Sequence, residues 1–360
     1  MNDYSNPQLR FDNIPEGKTG WRAPSNIALV KYWGKRAVQL PMNPSLSFTL
    51  SDAVSETVVE YAPASGKKPT IKFDFQNQEN LAFAAKTEKF FETVSPIFPF
   101  LEQFDFVIRS HNSFPHSAGI ASSASGMGAL ALTLCSIEKS YFNTFENEEA
   151  FFKKASYVAR LGSGSACRSV YGGAVVSGET KEVENSSDYF GIPVTNRIHP
   201  IFTTYHDTIL LVDEGTKKVS SRAGHALMES NPYAAARFQQ AGNHLSTLLA
   251  VMAAGDLERF VSIVESEALS LHAMMMTSNP YYLLVKPNTI AIINKIFELR
   301  NETGIPLCFT LDAGPNIHLL YPDEDAGAVK KFIQSELTLF LSPKGMIDDR
   351  MGKGPEKLNI

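Results

Sequence analysis

Ser163-Gly164-Ser165-Ala166-Cys167-Arg168-Ser169 packs hydroxyls, flexible backbone and one guanidinium into seven residues. Such a turn suits an oxyanion, because N–H and O–H groups donate to its oxygens and arginine grips carboxylate or phosphate with a fork. By itself it reads equally as a polar turn with a surface arginine. With the preceding Gly162 it makes a Gly-x-Gly, but one that follows a helical pattern rather than a strand, so a dinucleotide-binding reading fails. Downstream, Leu311-Asp312-Ala313-Gly314-Pro315-Asn316 sets one carboxylate between an apolar strand and a tight Gly-Pro turn. A turn-initiating aspartate is the plainer alternative. Upstream, Phe114 to Gly126 is a small-residue loop that runs into an apolar helix. The unpaired N–H groups and dipole at such a helix start favour an anion. Ser122 and Ser123 add hydroxyl donors or a Mg²⁺ ligand, although tight helix packing would call for the same small residues. The Walker A pattern is absent. Taken together, the three strings point to an enzyme that uses ATP on a phosphorylated small molecule.

Two cationic strings could serve the same anion. Asn26-Ile27-Ala28-Leu29-Val30-Lys31-Tyr32-Trp33-Gly34-Lys35-Arg36 is a strand running into cations and a phenol. Lys217-Lys218-Val219-Ser220-Ser221-Arg222 sets lysines, hydroxyls and an arginine near a helix start. Each, alone, also reads as solvated charge. The histidines lack zinc spacing, and Met274-Met275-Met276 reads as core filling.

The 360 residues suffice for one large or two ordinary domains with a real core. A formal net charge of −5 argues against nucleic acid as the main partner. No apolar run reaches a spanning length, so no membrane partner is expected. Three cysteines without a Cys-x-x-Cys pair point to a reducing, cytoplasmic setting rather than a disulfide framework.

The first half reads as strands over 21–30, 46–50, 57–61, 70–75 and 104–109. Helices are expected over 77–94, 121–141 and 148–161, followed by a strand at 172–177. The polar stretch 178–196 is the expected junction. Beyond it come a strand at 208–212 and helices at 219–229, 233–253, 257–276 and 287–303. Strands at 308–311 and 317–321, a helix at 325–336 and an irregular tail complete the chain. Strands first and mixed elements later give an α+β protein of two halves, 1–190 and 191–360.

In this order the strings resemble the GHMP kinase superfamily and, within it, the mevalonate diphosphate decarboxylases. The resemblance covers most of the chain. It rests on Ser25 to Arg36, Asn43-Pro44-Ser45-Leu46-Ser47, Phe114 to Gly126, Ala159 to Ser169, Lys217 to Arg222 and Asp312 to Asn316. In the kinase relatives the catalytic acid belongs to the region after the phosphate loop. Here that region has no acid, and the third motif carries Asp312 instead. The resemblance implies a GHMP-kinase-like fold, with an N-terminal lobe like domain 2 of ribosomal protein S5 and a ferredoxin-like C-terminal lobe. It implies ATP and Mg²⁺ as cofactors and mevalonate 5-diphosphate as the small-molecule substrate, converted to isopentenyl diphosphate, ADP, phosphate and CO₂.

The same resemblance implies that Asp312 faces the 3-hydroxyl, Arg168 holds the substrate carboxylate and Lys31 lies near the transferred phosphoryl. It implies substrate contacts from Tyr32, Trp33, Gly34, Lys35, Ser163, Gly164, Ser165, Ala166, Cys167, Ser221 and Arg222. Contacts to ATP are implied for Gly119, Ala121, Ser122 and Ser123. The sequence departs from the family pattern in a short Arg36–Asn43 connection, in Pro44 and in His116-Ser117. A relative acting on the 5-phosphate, or a 3-kinase that does not decarboxylate, stays open, as do the Mg²⁺ ligands and the choice between monomer and homodimer.

Overall fold

A computed structural model of the chain describes residues 4–115, 119–215 and 221–360; the side chains of Ser221 and Arg222 lie outside the description. The chain opens with β1 (Gly17–Val30), which runs antiparallel to the long β4 (Ser45–Pro63) across a small hairpin of β2 (Lys35–Arg36) and β3 (Leu40–Pro41). Then come β5 (Ile71–Phe75), β6 (Gln78–Glu79), α1 (Leu81–Val94), β7 (Phe104–Asn112), α2 (Ser122–Phe142) and α3 (Glu148–Gly162). β8 (Ala174–Ser177) and β9 (Gly191–Pro193) complete the chain's first pass through this sheet, which is ordered β14-β1-β4-β7-β5-β6 with β8 on β4 and β9 on β8. The second sheet, β11-β12-β10-β13, takes β10 (His206–Leu210), β11 (Cys308–Thr310), β12 (Ile317–Tyr321) and β13 (Met346–Arg350). Helices α4 (Ser221–Ala226), α5 (Ala234–Ala254), α6 (Leu257–Met276), α7 (Pro287–Thr303) and α8 (Ala326–Phe332) belong to this half. The last strand, β14 (Glu356–Lys357), returns to β1. The result is the expected two-lobed α+β arrangement.

Local chemistry sets the helix ends. Asn80, Asn147 and Asp256 accept N–H bonds at the starts of α1, α3 and α6. Gly255 and Gly304 close α5 and α7 in the left-handed region. α2 is buried along most of its length, as its all-round apolar sequence requires.

Several expectations need correction. The segments 46–50 and 57–61 are one strand, β4. Its polar break at Ser51-Asp52 stays extended because the Asp349 carboxylate accepts from Ser51 N, Asp52 N and Ala53 N at 2.8, 3.0 and 2.6 Å. The tail is not irregular: β13 and β14 are polar strands whose pairing comes from distant partners. The helix expected over 219–229 is short, α4 followed by a 3-10 turn over Leu227–Glu229. The helix expected over 325–336 ends at Phe332 and continues as a π turn over Ile333–Leu337.

One apolar core fills the space between the first sheet and α1, α2 and α3, with Phe90, Phe98, Phe104, Leu132 and Val158 at its centre. A second runs from β1, β4 and β8 through Phe48 and Leu46 to Leu245, Phe260 and Ile209 of the second half. The lobes therefore share an apolar interior.

Candidate active site

β1 ends at Val30, and Lys31 leaves the ladder. Its N–H donates to Glu267 Oε2 at 2.8 Å, and its C=O accepts from Asn43 Nδ2 at 3.0 Å. The side chain is 1% exposed, and Nζ stands 3.4 Å from Asp312 Oδ1. Burial lowers the Lys31 pKa, while Asp312 and Glu267 hold it up. Asp312 reaches the cleft from the turn after β11, and its own side chain is 27% exposed.

Arg168 closes the 3-10 turn Gly164–Arg168 that follows α3 and is almost fully buried. Its Nε donates to Asn26 Oδ1 at 3.2 Å, and Nη1 donates to Ser45 Oγ. Asn26 Nδ2 in turn donates to Ser169 Oγ at 2.8 Å and to Ser165 O at 3.3 Å. The guanidinium is thus aimed from behind while its residue lines the cleft. Burial lowers its pKa as well.

Tyr32 lies over Gly164, where any Cβ would collide with the phenol oxygen. Burial pushes the Tyr32 hydroxyl pKa up, and Lys35 Nζ sits 5.7 Å from the ring centre. Trp33 is buried. Gly34 has φ +98°, and its N–H donates to His225 Nδ1 at 2.9 Å. His225 is pushed well below its ordinary pKa, first by burial and then by Lys35, so it is a neutral acceptor.

Next to the serine turn is the start of α2. Gly119 (φ +88°) and Ala121 (φ +45°) turn the chain, and Ser25 Oγ donates to Ile120 O at 2.5 Å. Ser122 and Ser123 face the cleft, with Ser123 Oγ 3.4 Å from Ser163 Oγ. The helix start and the serine turn therefore stand side by side. The cleft has a volume of about 1110 Å³ and extends past α2 into an apolar recess formed by Phe73, Phe75, Phe83, Phe90 and Met127.

Of the residues expected at the site, Lys31, Tyr32, Trp33, Lys35, Gly119, Ala121, Ser122, Ser123, Ser163, Gly164, Ser165, Arg168 and Asp312 line this one cleft. Gly34 stands behind it. Ala166 and Cys167 are wholly buried, and Cys167 Sγ lies 3.2 Å from Gly164 O and from Ser177 Oγ. Their side chains face the interior, so at these two positions only the backbone can serve the turn. Ser221 and Arg222 head α4, with their side chains outside the described residues; Lys217, Lys218, His116 and Ser117 also lie outside them.

Sequence reasoning missed Glu267, Arg237, His244, His272 and His225. Glu267 is wholly buried and accepts from Arg237 Nη1 at 3.0 Å and His244 Nδ1 at 2.6 Å. Burial works to raise its pKa, but the bonds from His244 and Arg237 outweigh it and hold the carboxylate ionised. The available signal was an acid and a histidine on the apolar face of a helix.

Among the described residues no three His, Cys, Asp or Glu side chains gather as a metal-holding group. Mg²⁺ bound mainly through phosphate oxygens fits such a cleft, whose lining includes the hydroxyl-bearing Ser122 and Ser123.

Comparison with known proteins agrees with this geometry. Residues 23–188 match the diphosphomevalonate decarboxylase-like N-terminal domain, and residues 208–355 match the mevalonate 5-diphosphate decarboxylase C-terminal domain. The diphosphomevalonate decarboxylase of Ganoderma lucidum is 31% identical over 330 residues, 86% of this chain and 80% of that protein. The Saccharomyces cerevisiae enzyme of the same name is 29% identical over 86% of this chain and 79% of its own. Among solved structures, mevalonate diphosphate decarboxylase from Staphylococcus aureus superposes with TM-score 0.82 at 26% identity, over 97% of this chain and 99% of its own. The Enterococcus faecalis enzyme does so with TM-score 0.81 at 27% identity, over 96% and 100%. A structure described as MDDEF in complex with MVAPP, AMPPCP and magnesium gives 0.80 at 28%, again over 96% and 100%. The fold is of the GHMP-kinase type, with two lobes that both contribute residues to the cleft. Within that type, the chain belongs to the diphosphomevalonate decarboxylase family.

Proposed function

We propose that this chain carries out the ATP-dependent decarboxylation of mevalonate 5-diphosphate to isopentenyl diphosphate, with ADP, phosphate and CO₂ as the other products. The observation that carries the reading is the Lys31–Asp312 pair. A carboxylate from the second lobe stands 3.4 Å from a buried ammonium, in the cleft that also holds Arg168 and the start of α2. The relatives' names, and the neighbouring complex with MVAPP, AMPPCP and magnesium, support the same substrates.

The chemistry follows from the leaving group. Hydroxide leaves a tertiary carbon poorly, so O3 first takes the γ-phosphoryl of ATP while its proton passes to Asp312, giving ADP. The C3–O3 bond then breaks with its electron pair on phosphate. The C1–C2 pair becomes the C2=C3 double bond, and C1 departs as CO₂. In this scheme Arg168 holds the carboxylate and Lys31 offsets charge on the transferred phosphoryl. Tyr32, Lys35, Ser163, Ser165, Ser221 and Arg222 hold diphosphate oxygens. Ser122, Ser123, Gly119 and Ala121 form the ATP phosphate cradle, and the phenylalanine-lined recess takes the base. Mg²⁺, when bound, neutralises the phosphates.

The test is ATP turnover on mevalonate, its 5-phosphate and its 5-diphosphate in parallel. The expected result is CO₂ and ADP in equal amounts, with the 5-diphosphate strongly preferred. ADP without CO₂ would make the protein a 3-kinase, and preference for the monophosphate would change the substrate.

A further inference from the structure

Resting on that reading of the cleft, we infer that α6 sets the spacing of the Lys31–Asp312 pair from behind. Glu267 and His272 are its two positioning residues, one holding the main chain of Lys31 and the other the main chain of Asp312. The two catalytic side chains come from different lobes, so nothing local fixes the distance between them. Glu267 Oε2 takes the Lys31 N–H at 2.8 Å, where β1 has ended and that buried amide needs a partner. His272 Nε2–H donates to Asp312 C=O at 3.1 Å, and Gly314 N–H donates to the same oxygen at 2.7 Å. The two grips are five residues apart on one helix, about 7.5 Å along its axis.

Each grip is itself braced. Arg237 and His244 of α5 hold Glu267 from the far side. His272 is 3% exposed, and its bond to a carbonyl puts the hydrogen on Nε2. Burial, ahead of the nearby Lys31, pushes its pKa down to about 4, so the ring adds no charge beside the ammonium. Neither Glu267 nor His272 lines the cleft. They touch no substrate and act through the residues they hold.

Positioning predicts a loss in kcat rather than KM. His272→Leu removes the donor and should lower kcat about 10- to 100-fold, since misplacement near 1 Å costs about that much. KM for ATP and for mevalonate 5-diphosphate should stay within about three-fold. His272→Gln, whose amide N–H can stand where Nε2 stood, should regain most of the loss. Glu267→Gln keeps an acceptor for the Lys31 N–H but removes its charge. The groups facing Lys31 are Asp312 from its turn, Glu267 and neutral His272 from α6, Arg168 from the serine turn, and Arg237 and His244 beyond Glu267. Removing the Glu267 charge lowers the Lys31 pKa further, so the alkaline limb of kcat should move to lower pH. An unmoved limb in folded Glu267→Gln would overturn the role of Glu267. Should Glu267→Gln fail to fold, the His272 pair decides alone. Unchanged kcat in His272→Leu, or equal damage in Gln and Leu, would overturn the inference. A wild type that releases no CO₂ would instead overturn the proposed function, so the two failures are distinct.

Discussion

Arg168 commits Nε to Asn26 and Nη1 to Ser45, and only a planar fork can keep both while offering further N–H groups to a carboxylate. Arg168→Lys should therefore raise KM for the diphosphate substrate and lower kcat as well. Charge-assisted bonds of about 1.5–3 kcal/mol imply at least a ten-fold fall in kcat/KM, read by steady-state kinetics. Wild-type kinetics would place the carboxylate elsewhere. Asp312→Asn keeps the shape but removes the proton acceptor and the partner of Lys31. Turnover should fall about 10²- to 10⁴-fold while ATP binding by calorimetry persists; full activity would remove Asp312 from the chemistry. Asp312, Arg168 and Lys31 were legible because their three strings occur together and in an order that resembles one family, although each string alone has a plainer reading. Glu267 and His272 were not. They interrupt the buried face of a long helix, and only the fold brings them to the ends of two strands from different lobes.

At the scale of elements, the site is made by strand ends and helix starts meeting at close range. Gly164 is the tightest point, because a methyl group there would displace the Tyr32 phenol. Gly164→Ala should raise KM for mevalonate 5-diphosphate several-fold and KM for ATP less, since the added methyl meets Tyr32 and not the serines at the start of α2. An unaffected KM for the diphosphate would mean that Tyr32 is not a contact. Helices α3, α5, α6 and α7 were legible within a few residues from their spacing, and α2 from the length and composition of its apolar run. β4 was read as two pieces because Ser51-Asp52 looks like a break, and nothing near them in sequence announces the Asp349 carboxylate that satisfies those amides. β13 escaped for the same reason: Met346-Ile347-Asp348-Asp349-Arg350 is a strand because β10 pairs with it, not because of its own pattern.

Across the whole molecule the two lobes are joined by a shared apolar core and by buried polar grips. The two-part plan was visible in the order of strands and helices, but the contacts between the parts were not. Buried titratable groups among these grips give folding a pH dependence whose sign can be worked out for His272. Its pKa is lowered from 6.5 to about 4, chiefly by burial. Below pH 6.5 the unfolded chain binds a proton there that the folded protein refuses until about pH 4. The stabilisation is therefore complete above 6.5 and lost as pH falls, at about 1.4 kcal/mol per pH unit. His225, also pushed well below its ordinary value, acts in the same direction. Asp349, raised chiefly by burial, acts oppositely: its contribution is present below the unfolded carboxyl pKa and lost as pH rises through the folded one. Both are common to wild type and a His272 variant, so they cancel in the comparison. Between pH 7 and pH 5, urea titrations should show His272→Gln losing about 2 kcal/mol less stability than wild type. Equal losses would mean that His272 is protonated in the folded protein. It would then stand as a second cation beside Lys31, and the neutral grip on Asp312 would fail with it.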